Sequence, residues 1–144
     1  MKPAAEILAR LPHRPPFLFV DAIVERGENC LRAAVTFPAD WPVFAGHYPG
    51  QAIVPGVILC EAIFQSGALL IGELARDMAE TPSGSPLVAR IFAAKFKREV
   101  GPGERLDIEV ALTEKMASAW LMKGTARVAG KVAAQVEFSC VLKS

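Results

Sequence analysis

From Val57 to Leu74 the chain reads VILCEAIFQSGALLIGEL, a mostly apolar run whose first part, Val57 to Phe64, is apolar but for one carboxylate, Glu61. At 3.6 residues per turn this is about five turns of helix, and a helix apolar on every side needs lipid or protein around it. A carboxylate inside a spanning helix costs roughly 2.5–3.5 kcal/mol, and no flanking excess of Lys or Arg sets an orientation. The run is therefore expected to be a protein-wrapped helix, starting at Pro55 and Gly56 and ending near Ala79.

The remaining segments supply the wrapping. FLFVDAIVE (Phe17 to Glu25) and NCLRAAVTF (Asn29 to Phe37) read as a hairpin about a turn containing Gly27. TPSGSP reads as a loop, followed by strand candidates at Leu87 to Phe96, Leu106 to Leu112, Ala119 to Val128 and Val132 to Leu142. LDIEVAL alternates as a half-buried strand does. There is no repeat or linker, so one domain over residues 1–144 is expected, with one antiparallel sheet curled round one helix.

Composition adds a partner. Apolar residues make up 52% of the chain against 22% charged, and the mean hydropathy is +0.32, which leaves apolar surface for another subunit to cover. A net charge of +1 gives no reason to propose nucleic acid or an anionic membrane surface. Cys30, Cys60 and Cys140 form no CxxC pair and, with only His13 and His47 beside them, no metal-type spacing. Free thiols in a reducing cytoplasm, no metal and no cofactor are expected. Charge and proline interrupt the N-terminal stretch MKPAAEILARLPHRPP where an export signal would be continuously apolar.

The chemistry-bearing residues cluster around the helix start. His47 lies in FAGHYPG, where Gly and Pro restrict the backbone on both sides. Pro55 and Gly56 open the helix and leave N–H groups without intrahelical partners, a natural site for a developing oxyanion. Glu61 follows Gly56 by five residues and Gln65 follows Glu61 by four, which puts carboxylate and amide on one face with Ala68 and Gly72. A histidine, a carboxylate and oriented N–H donors suit proton removal beside a carbonyl with loss of a β-hydroxyl. Taken singly, His47 could be a hydrogen-bonded loop residue and Glu61 an interface carboxylate. His13 and Asp21 are assigned to structure, and KFKRE (Lys95 to Glu99) to a solvated basic face.

LPHRPPFLFVD (Leu11 to Asp21), FAGHYPGQAIVPGVILCEA (Phe44 to Ala62) and KFKREVGPGE (Lys95 to Glu104) resemble, in order and separation, three signature stretches of the hot-dog-fold β-hydroxyacyl-acyl carrier protein dehydratases. The resemblance spans nearly the whole chain. It implies an α+β hot-dog fold, a curved antiparallel sheet around one long helix, assembled as a homodimer, with a trimer of dimers as the further assembly known among similar proteins. It implies His47 and Glu61 as catalytic residues, Gly56, Val57, Phe64 and Gln65 as substrate-binding positions, and acyl carrier protein as the partner carrying the substrate. Ala52, Phe64, Lys95 and Glu99 depart from the family pattern, and Phe64 stands where a small residue is common. The rival readings are a hot-dog acyl thioesterase, which often lacks a loop histidine, and a non-catalytic acyl-binding protein, which needs neither group.

Overall fold

The computed structural model describes residues 1–78 and 83–143. Its chain order is α1 (Ala5–Arg10), β1 (Ala22–Arg26), β2 (Cys30–Thr36), α2 (Val43–Gly46), α3 (Gly56–Arg76), β3 (Ser85–Phe96), β4 (Arg105–Met116), β5 (Ala119–Val128) and β6 (Lys131–Lys143). The six strands form one sheet in the order β1-β2-β4-β5-β6-β3, with every neighbouring pair antiparallel. Tight turns close the long hairpins. Ala129 and Gly130, both at positive φ, join β5 to β6, the backbone that a two-residue hairpin with right-handed strand twist requires.

Helix α3 packs chiefly on β4, β5 and β2. Contact is close because residues are small where the layers meet. A Cβ on Gly124 of β5 would lie 2.2 Å from the Ile63 side chain, and one on Gly67 would lie 3.0 Å from the Phe138 ring. A side chain at Gly124 would force Ile63 to move and one at Gly67 would crowd the Phe138 ring, so both glycines serve the packing of helix on sheet.

Three expectations change. The first strand begins only at Ala22, because Phe17 closes a turn on the Arg14 carbonyl and the Phe19 N–H is taken by the Gln65 side chain and not by a neighbouring strand. The helix ends at Arg76, capped by Asp77; its expected end at Ala79 and the first part of TPSGSP lie outside the described residues, while Ser85 and Pro86 already belong to β3. The third change bears on function. Alone among the described helices, α3 is long and apolar enough to cross a membrane, yet only 56% of its most apolar window is buried by this chain. Val57 is 74% exposed, Glu61, Phe64 and Ala68 are half-buried, and Gly72 is exposed. The sheet covers one side of the helix and leaves this stripe open.

Candidate active site

His47 is placed by an aromatic anchor upstream of it. Phe19, Phe37, Trp41 and Phe44 pack ring against ring with centroids 4.8–6.2 Å apart, which seats the short helix α2 in the core. His47 ends that helix, its N–H bonded to the Val43 carbonyl at 3.0 Å. Tyr48 then adopts a left-handed backbone, φ +48°, and its ring lies 4.6 Å from the imidazole. The imidazole Nδ1 is 3.1 Å from the Ile53 carbonyl oxygen. A carbonyl only accepts, so Nδ1 carries the proton in this contact. Nε2 of the neutral ring is left with its lone pair, the state a general base needs.

The start of α3 borders the same space. Pro55 caps the helix without any side-chain hydrogen bond, and its carbonyl accepts from Ile58 and Leu59. The N–H groups of Gly56 and Val57 precede that ladder and have no intrahelical acceptor. A Cβ at Gly56 would come 3.1 Å from the Phe96 ring, so glycine lets that ring lie against the helix start. The cavity they share is about 450 Å³, lined by His47, Tyr48, Gly56, Phe96, Lys97 and Arg98 among others. Arg98 is tied to Glu104 at 2.9 Å. KFKRE is thus more than a solvated face, since its last four residues wall the histidine's cavity.

Glu61 faces a different cavity. Gln65, 1% exposed, accepts from the Phe19 N–H at 2.8 Å and donates from Nε2 to the Phe17 carbonyl and to Glu61 Oε2, both at 3.1 Å. The amide is locked by the chain it bridges, and it fixes one carboxylate oxygen. This cavity, about 290 Å³, is lined by Glu61, Phe64, Gln65, Ala68, Cys140 and His13, with Phe17 and the start of β3 completing it. Phe64 stacks edge-on against buried Phe138, centroids 4.9 Å apart. Burial, and secondarily the charge of Glu61, push the Cys140 thiol up to about 12 and raise that of Cys60. Both are neutral thiols at ordinary pH.

Within one chain the expected site residues therefore separate into two groups, His47 with Gly56 and Glu61 with Phe64 and Gln65. Val57 lines neither cavity and faces out. Asp21 behaves as assigned, its Oδ2 accepting from the Thr36 N–H at 3.0 Å. His13, also assigned to structure, lies beside Glu61, its Nε2 3.8 Å from Oε2. The available signal was its position in the stretch that also supplies Phe17 and Phe19. Among the described residues no His, Cys, Asp and Glu cluster could hold a metal ion.

A family model described as the FabA-like domain matches residues 11–137. The chain belongs to the FabA-like family. FabA-like relatives include the 3-hydroxyacyl-(acyl-carrier-protein) dehydratase FabZ of Anaeromyxobacter sp. (strain K), 41% identical over 92% of this chain and 85% of that protein. The protein of the same name from Aromatoleum aromaticum is 38% identical over 96% of both chains. Among solved structures, the dehydratase heterocomplex ApeI:P of Xenorhabdus doucetiae superposes with a TM-score of 0.79 at 18% identity, covering 96% of this chain and 91% of that one. A hypothetical thioesterase from Streptococcus pneumoniae, bound to coenzyme A, gives 0.67 at 10% identity over 85% of each chain. At such identities these likenesses speak for the fold alone, and the fold of this FabA-like chain is the α+β hot dog.

Proposed function

We propose that this chain dehydrates a 3-hydroxyacyl thioester to the trans-2-enoyl thioester, with acyl carrier protein as the carrier of the substrate. His47 Nε2 takes the C2 proton, the Gly56 N–H receives the thioester carbonyl as negative charge builds on its oxygen, and Glu61 helps the C3 hydroxyl leave as water. The C2–H electron pair becomes the C2–C3 double bond as the C3–O bond breaks. The observation that carries this reading is the pair of complementary states. His47 is tied through Nδ1 with Nε2 free, and Glu61 is tied through Oε2 with Oε1 left for a substrate.

The separation of the two groups favours a site shared between subunits. The open stripe of α3 bears Glu61, and edge strand β3 exposes Leu87, Val88, Ile91, Phe92 and Phe96. A second copy of the chain, seated on both, would bring its His47 cavity to Glu61. We read the unit as a homodimer of single hot-dog domains, with a trimer of dimers as a further step of assembly, working in the cytoplasm. Gly56, Val57, Phe64 and Gln65 remain the substrate-binding positions, Val57 through the face that the second copy covers.

A thioesterase would use the helix carboxylate to direct water at the thioester and has no need of an oriented, tautomer-fixed histidine. The deciding assay follows enoyl thioester absorbance and free thiol release together, with 3-hydroxyacyl and enoyl substrates on acyl carrier protein. Reversible interconversion without thiol release is expected. Thiol release without interconversion refutes the dehydratase reading.

A further inference from the structure

To assist hydroxyl departure, Glu61 needs its carboxyl group held in a fixed plane. Both Nε2 protons of Gln65 are committed, one to the Phe17 carbonyl and one to Glu61 Oε2. A carboxylate held by a single hydrogen bond at one oxygen can still rotate about that contact. Fixing its plane takes a second contact from another direction.

We propose that His13 supplies that contact and is a positioning residue for Glu61. The inference rests on the reading of Glu61 given above. His13 Nε2 lies 3.8 Å from the same Oε2 that Gln65 holds, so both partners gather at one oxygen and Oε1 stays open to substrate. That distance is longer than a hydrogen bond, and such contacts in substrate-free sites shorten when the site closes. The imidazole Nδ1 is buried and has no hydrogen-bond partner among the described residues, so Glu61 is the side chain to which the ring's polar character is directed.

The His13 backbone is also held firmly enough to aim its ring. The Arg14 guanidinium donates to the carbonyls of His13 at 2.7 Å, Leu8 at 2.8 Å and Leu11 at 2.9 Å. Leu11–Phe19 thus frames Glu61 twice, through the His13 ring and through the Phe17 and Phe19 backbone groups that lock Gln65. Of the chain's two histidines, each lines one of the two cavities, His47 as a reacting group and His13 beside the other reacting group, Glu61.

The test is steady-state dehydration by the full chain with His13→Leu, His13→Ala and His13→Gln. Gln carries an amide N–H about as far from the backbone as the imidazole Nε2, whereas Leu and Ala offer no donor, and having two donor-free variants covers the failure of one to fold. Either donor-free variant should lower kcat about tenfold with KM changed less than about twofold, the split expected when only transition-state stabilisation is lost. His13→Gln should stay within about threefold of wild type. Added to Glu61→Gln, His13→Leu should cost less than about a further twofold, because a residue acting through Glu61 has nothing left to position. A folded donor-free variant with wild-type kcat, a Gln variant as slow as Leu, or full additivity with Glu61→Gln would overturn the proposal. Wild-type turnover by Glu61→Gln itself would refute the role of Glu61, and the proposal with it, whatever the His13 variants do.

Discussion

Glu61 and His47 are each restrained at one polar atom and left free at another among the described residues, and the proposed roles as reagents rest on this asymmetry. Truncating either removes a positioned acid or base, so His47→Ala and Glu61→Gln should each slow dehydration at least ~100-fold with the circular dichroism spectrum unchanged. Near-normal turnover by a folded variant would remove that residue from the mechanism. The neighbouring thiol titrates in a testable way. Cys140, held near 12 by burial and by Glu61, stays protonated in the folded chain after the unfolded chain's thiol has ionised near 9. A raised folded-state value stabilises the fold below pH 9 and loses that stabilisation as pH climbs toward 12. Urea unfolding of wild type should weaken with pH over this window more steeply than that of Cys140→Ala.

At the scale of elements, α3 carries both the core and the site, and its open stripe determines what a substrate meets beyond Glu61. Phe64 lies one turn on, lines the Glu61 cavity and stacks on Phe138. If its ring limits the space for an acyl chain, Phe64→Ala should shift kcat/KM toward longer 3-hydroxyacyl substrates. A chain-length profile identical to wild type would assign the ring to the core alone. Much of this element pattern was legible in the sequence. The run from Val57 marks the long helix, β5 runs over the expected Ala119–Val128, and the spacing that puts Glu61 and Gln65 on one face agrees with their hydrogen bond. The short helices α1 and α2 were not foreseen, because each is only a turn or so and depends on what it packs against, not on its own periodicity. Phe17–Asp21 has the composition of a strand but is diverted by Gln65, a long-range contact 46 residues away from Phe19 that no local pattern reveals. The approach of His13 to Glu61 is hidden in the same way, since the two stand 48 positions apart.

Considered as a whole molecule, one chain presents a histidine cavity and a carboxylate cavity that are separate, an unpaired apolar edge at β3, and a helix stripe that its own sheet does not cover. A second copy of the chain would account for all three features together, and in the proposed dimer neither His47 nor Glu61 would work with its own chain's partner residue. The most direct measurement mixes two dead proteins. His47→Ala and Glu61→Gln chains, unfolded together and refolded in equal amounts, should pair at random so that about half of the dimers are mixed. Each mixed dimer holds one site with both defects and one with neither, and activity should return to about a quarter of wild type. Mixed dimers that are demonstrated by differential tagging and yet remain inactive would contradict a site shared between subunits.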